Sequence, residues 1–203
     1  MRMPALMGLA MIGLLVLGGQ AHADTRFGVG GMFGFGGEGE VEVDAGPIGG
    51  SSESDFDPTV GFNLWVDTTL SSLVRSGTWT RYLRFGGEAR FLFWETEDQQ
   101  DKSITMEFCP VAKLSFPIKR DIDLFVRFAP GFSVMLPSDD LQGFDTGFGF
   151  NIALLAGGTY QLTSQVGVLA ELGFIIHNVY GDLTTGDYSM SGTQFHLDFG
   201  LTF

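Results

Sequence analysis

The chain has 203 residues and a formal net charge of −13, with 17% charged residues, 30 glycines and 20 phenylalanines. So acidic a chain offers no electrostatic footing to nucleic acid or to an anionic surface, and its single cysteine, Cys109, excludes an internal disulfide. The length fits one domain, and no Pro/Ser-rich linker or composition break divides it.

In chain order, the first segment is unlike the rest. Arg2 precedes an apolar stretch over 6–17, and Ala21-His22-Ala23 has the A-x-A form of a cleavage site, together the pattern of a secretory signal peptide. The apolar stretch is shorter than the roughly 20 residues a spanning helix needs. No cysteine follows the expected cut, so no lipid-anchored N-terminus is expected. The expected organisation is a signal peptide over 1–23 and one domain over 24–203.

From residue 26 onward no segment sustains an apolar repeat at 3.6, whereas strict alternation recurs, the signal of half-buried strands. In the run 26–43 the odd positions are Phe27, Val29, Gly31, Phe33, Phe35, Gly37, Gly39, Val41 and Val43. The run 56–66 sets Phe56, Val60, Phe62, Leu64 and Val66 against Asp57, Thr59, Gly61 and Asn63. The run 79–95 sets Trp79, Leu83, Phe85, Ala89, Phe91 and Phe93 against Tyr82, Arg84, Gly86, Glu88 and Arg90. Five further runs follow at 104–116, 122–136, 144–162, 166–180 and 189–203. Long connections at 44–55, 96–103, 137–143 and 181–187 alternate with 67–78, 117–121 and the pair Thr163-Ser164. One end therefore carries the long loops, and the other carries mostly short turns and both termini.

Alternation fits a soluble barrel with its apolar face inside or a membrane barrel with that face outside. Volume separates them. An eight-stranded interior is just wide enough for side chains to fill, and it cannot hold the Phe, Trp, Leu, Ile and Val of this apolar face. The opposite face, rich in Gly, Ser, Thr, Ala and isolated charges, suits a narrow lumen. The expected fold is all-β: an eight-stranded antiparallel up-and-down transmembrane β-barrel. In hydrocarbon an open sheet edge leaves backbone groups unpaired at several kcal/mol each, so the last strand is expected to pair with the first.

The closing stretch FHLDFGLTF alternates Phe195, Leu197, Phe199, Leu201 and Phe203 with His196, Asp198, Gly200 and Thr202. It resembles the C-terminal signal by which the outer-membrane assembly machinery recognises substrates, with Phe195, Phe199, Leu201 and Phe203 as its apolar positions. With eight runs and a leader, the mature chain resembles the small OmpA/OmpX-type outer-membrane barrels. The resemblance implies residence in the outer membrane as a monomer, contact with its lipids and lipopolysaccharide, and no catalytic motif. An OmpA-type periplasmic domain is not expected, since nothing follows Phe203.

Counted up from the short-turn end, Arg84, Arg127, Glu171, His196 and Asp198 face inward at similar depth, with Glu88, Lys113 and Glu107 near that level. Buried charges must be paired, so these residues read as a static polar plug, with a gated pore as the rival. Most carboxylates lie toward the long-loop end, Glu38, Glu40, Glu42 and Asp44 among them, which predicts an acidic extracellular rim. No EF-hand spacing and no Cys/His metal spacing occurs, and no cofactor is expected. His177 and His196 are both in the inward phase, away from a bilayer substrate. Cys109 is expected inward as a small filler. Trp79, Trp94, Tyr160 and Tyr180 are expected in an interfacial aromatic girdle, Trp94 fitting least because it falls in the inward phase. The connection over 67–77 is longer than its siblings, which a short helix or a strand extension explains. The expected function is structural or surface-interacting. The first rival is a transporter, either a small cation-selective pore or an OmpW-like channel for hydrophobic molecules, and the second is a barrel enzyme acting on lipid.

Overall fold

The computed structural model describes residues 25–44, 49–55, 58–73, 80–94, 103–138, 143–184 and 186–203. The expected leader, Trp79 and most of the 96–103 connection lie outside them. Within the described residues the chain forms β1 (Thr25–Phe35), β2 (Glu38–Asp44), β3 (Gly50–Asp55), β4 (Thr59–Thr69), a single helical turn α1 (Leu70–Leu73), β5 (Leu83–Trp94), β6 (Ser103–Lys119), β7 (Ile122–Leu136), β8 (Gly147–Gln161), β9 (Gly167–Leu183) and β10 (Gly186–Thr202). The hydrogen-bonded order β1-β4-β5-β6-β7-β8-β9-β10 closes on itself through β1 and β10. All eight pairings are antiparallel.

Closure is made at the C-terminus. Gly28 to Phe35 pair with Thr202 to Phe195, and Phe203 exchanges backbone hydrogen bonds with Phe27 at 2.8 and 3.0 Å. The last residue therefore completes the seam, leaving no free edge in the apolar zone. Following paired residues once around the ring from Gly30 leads through Asn63, Arg90, Glu107, Ser133, Gly149, Val179 and Met190 to Val41, not back to Gly30. That stagger is the tilt which closing a narrow barrel demands.

The sidedness follows the pleat. On β9 the outward residues Val168, Leu172, Phe174 and Ile176 are 37 to 55% exposed, whereas Leu169, Glu171 and Ile175 between them are buried. Nine residues rising about 3.3 Å each and tilted by about 40° span roughly 20 to 25 Å, the height of an outer-membrane apolar band. Tyr160 and Tyr180 stand outward near opposite strand ends, and the Trp94 side chain lies outside the described features.

Three sequence expectations change. The first run is two strands, because Gly36 and Gly37 adopt φ of +61° and +119°, conformations only glycine takes readily. A Cβ at Gly37 would stand 2.0 Å from the Thr193 carbonyl oxygen. The supposed 44–55 loop contains β3, which pairs with β2 to extend the sheet beyond the ring. The 181–187 connection is a tight hairpin, with Leu183 paired to Gly186. The 67–77 connection opens as a strand extension followed by α1, as its length suggested, and the extension makes Asp67 a lumen residue.

The lumen also holds more aromatic volume than expected. Trp65, Phe125 and Leu169 form a buried cluster in the half of the barrel nearer the short turns and the C-terminus. Room for Trp65 comes from Gly28, where a Cβ would sit 1.9 Å from its ring. One irregularity lies in the barrel wall. The β6–β7 ladder runs to Phe108 and Phe132 and resumes at Ala112 and Phe128. Pro110 and Pro130 face each other in the skipped interval, and neither has an N–H to give.

Candidate functional site

The pleat that sends Phe and Leu outward sends the polar residues of seven barrel strands toward one axis. Among the described residues the buried lumen holds Asp67, Glu88, Glu107, Glu171 and Asp198 as acids, with Arg84, Arg90, Lys113 and Arg127 as bases. At the centre, Glu88 Oε2 meets Arg90 at 2.8 Å and Arg127 Nη1 at 2.9 Å, and its other oxygen accepts from Asn63 Nδ2 at 2.9 Å. Arg127 Nη2 reaches Glu171 at 2.5 Å and lies 4.0 Å from Asp198. Arg90 Nη1 continues to Glu107 at 3.2 Å, whose other oxygen lies 2.8 Å from His177 Nδ1.

Neutral groups carry the chain of contacts onward. Ser133 Oγ donates to Glu107 at 3.4 Å, Asn151 Nδ2 donates to Ser133 at 3.0 Å, and Cys109 Sγ donates to Asn151 Oδ1 at 3.1 Å. The linked set thus takes side chains from every barrel strand except β1. That strand supplies Gly28, Gly30, Gly34 and the buried Met32 instead.

A second group lies nearer the short-turn end. Arg84 pairs with Asp67, and Lys113 Nζ approaches the same carboxylate at 3.6 Å while resting 4.0 Å above the Phe125 ring. At the rim, Arg26 pairs with Asp123 at 3.1 Å.

The predicted residues are therefore all inward and buried, and the structure divides them. Glu88, Arg127, Glu171 and Asp198 meet, whereas Arg84 belongs to the lower group, because strand tilt lowers it relative to residues of equal count on β9 and β10. His196 is fully buried, its ring centroid 6.1 Å from that of His177, and neither ring nitrogen has a hydrogen-bond partner among the described residues. Arg90 and Asp67 were missed as network members. The signal for Arg90 was available, as it is in phase with Glu88 two residues away. Asp67 was hidden by being counted as loop.

Buried guanidinium and carboxylate partners held this closely are fixed pieces, since separating one leaves an unpaired ion out of water. Such an arrangement fills space and cross-links strands. The described residues bring no three His, Cys, Asp or Glu side chains together to hold a metal, because arginines occupy the carboxylates. On the outer surface, the C-terminal positions Phe199, Leu201 and Phe203 are 42 to 54% exposed. Phe195 packs edge-on against Phe35 and Phe174 at 4.9 and 5.4 Å.

No protein-family model and no curated protein matches the sequence. Solved structures do match it. OprG of Pseudomonas aeruginosa superposes with a TM-score of 0.56 at 9% identity, over 89% of this chain and 95% of that one. Neisserial surface protein A gives 0.47 at 12% identity over 87% and 95%. Ail of Yersinia pestis, solved with the heparin analogue sucrose octasulfate, gives 0.43 at 13% identity over 89% and 99%. At these identities the likeness is one of fold. A closed ring of eight antiparallel strands with an apolar exterior and a charged interior is the architecture of the small OmpA/OmpX-type barrels, and the chain has that fold.

Proposed function

We propose that this protein is a non-catalytic outer-membrane barrel whose lumen is closed by its own ion pairs and whose work is done at the cell surface. The observation that carries the reading is the network centred on Glu88, Arg90 and Arg127, whose side chains are 0 to 4% exposed. An ion crossing this level would have to separate bonded charges in a low-dielectric interior, at several kcal/mol for each uncompensated charge. Function then falls to the outer rim. There Glu38, Glu40, Glu42 and Asp44 point away from the barrel axis on β2, and Asp44 lies opposite Asp187 of β10. The proposed setting is a monomer among phospholipid and lipopolysaccharide, exported by its leader and inserted by the assembly machinery through its C-terminal strand.

Single-channel recording on the mature chain in a planar bilayer tests the reading. Folded barrel is expected to give no conductance steps at neutral pH. Discrete cation-selective steps would overturn the closed lumen and make Arg127 and Glu171 gate residues.

One observation favours a second reading, a carrier of hydrophobic solutes. Above the charged level, Leu92, Met135, Val179 and Met190 line a small cavity together with Thr59 and His177. Its volume is about 50 Å³, far below the ~300–1,000 Å³ of ligand pockets. A carrier would need Met135 and Met190 to swing aside.

A further inference from the structure

A concavity lies on the outward, lipid-facing side of the barrel. A trough of about 530 Å³ crosses the outer face of β4 and β5. Its floor is Leu64, Val66, Gly87 and Ala89, where Leu64 pairs with Ala89 and Val66 with Gly87. Phe27 and Phe203 form one wall, and Phe108, stacked on Phe132 at 5.2 Å, forms the other. Large rings around a floor whose β5 half is only Gly87 and Ala89 leave a slot rather than the smooth convex surface that bulk lipid meets.

The two ends of the slot differ. Toward the extracellular side the next outward pair is Phe62 and Phe91, stacked with centroids 4.7 Å apart, and Phe93 lies 6.3 Å from Phe62. These rings close that end. Toward the periplasm the next outward pair is Thr68 and Phe85, and the smaller threonine leaves a way in. In the turn that precedes β5 stands the exposed Arg81, whose guanidinium stacks 4.7 Å over the Tyr82 ring. From Gly87 to Leu83, where β5 begins, is four residues, roughly 10 Å of height for a tilted strand, and the turn that holds Arg81 lies just beyond, at about half the height of an apolar band ~25 Å tall. A cation therefore stands at headgroup level beneath a slot that ends near the bilayer midplane.

We propose that this trough seats one acyl chain of a periplasmic-leaflet phospholipid, with the lipid phosphate against Arg81. Charge selects the leaflet. The periplasmic end offers Arg81, whereas the extracellular end presents the outward carboxylates of β2, which repel the phosphates of outer-leaflet glycolipid. The site is independent of whether the lumen conducts.

The test is native mass spectrometry of the folded mature chain in mild detergent, incubated with dioleoylphosphatidylethanolamine or, separately, with lipid A. Wild-type protein is expected to retain one phospholipid and no lipid A. Gly87→Leu fills the slot from its floor without straining the wall, since a Cβ there meets nothing closer than 3.9 Å. It is expected to lower retention roughly tenfold or more, the worth of about two buried methylenes. Arg81→Gln is expected to weaken retention by up to about fivefold, the range of an exposed ion pair. Gly31→Leu is the control, an outward glycine with open space that does not line the trough. Equal retention by wild type and Gly87→Leu, equal loss in Gly31→Leu, or preferential capture of lipid A would each overturn the proposal. Heat-modifiable gel migration confirms that every variant is folded.

Discussion

Replacing Arg127 by methionine tests whether the lumen network is a desolvated, cross-linked unit. The guanidinium touches Glu88 at 2.9 Å, Glu171 at 2.5 Å and Asp198 at 4.0 Å, with only 4% of its side chain exposed. Glu88 would keep Arg90 and Asn63. Glu171 and Asp198, which face each other across β9 and β10, would lose the cation they share. Removing one partner of a buried pair costs about 3–5 kcal/mol, and burial this complete leaves little solvent screening to reduce it. Urea unfolding of the barrel in lipid vesicles, followed by tryptophan fluorescence and by gel migration, should show a loss of that size. The triple variant Arg127→Met, Glu171→Gln, Asp198→Asn removes the charges together and should recover most of it, as neutral replacements of buried ion clusters do. A loss under about 1 kcal/mol for Arg127→Met would refute the reasoning, because it is the figure for solvent-exposed pairs.

Gly37→Val places a branched side chain at φ +119° and against the Thr193 carbonyl oxygen. It should cost more than the ~1 kcal/mol of a simple glycine effect, read as a lower urea midpoint, and an unchanged midpoint would count against the kink between β1 and β2. Pro110→Ala restores an N–H to the interrupted β6–β7 ladder and should stabilise the barrel by about 0.5–1.5 kcal/mol. Amide exchange at residues 109–112 should slow as well, and faster exchange would contradict the assignment of the gap to the prolines. Phe203→Ala should lower the amount of barrel inserted in cells severalfold while leaving most refolding into detergent intact. Equal losses in both settings would mean that the residue acts through the seam with Phe27 and not through recognition.

Period-two alternation, the outward placement of most Phe and Leu and the inward phase of every lumen charge except Asp67 were legible in the sequence. These are local properties: the pleat sends neighbours to opposite faces, and a narrow lumen admits only part of the residue set. Partner choice was not legible. Which inward residues meet depends on strand tilt and register around the whole ring, so Arg84 went to Asp67 and Lys113, while Arg90 joined Glu88 to Glu107. The same limit hid Trp65, whose ring fits inside because Gly28 lies beside it on a neighbouring strand. The trough over Gly87 likewise exists only where β1, β4, β5 and β6 lie side by side. Sequence alternation determined which face each side chain takes, and closure of the ring decided which side chains became neighbours, because register is a long-range property that no single strand encodes.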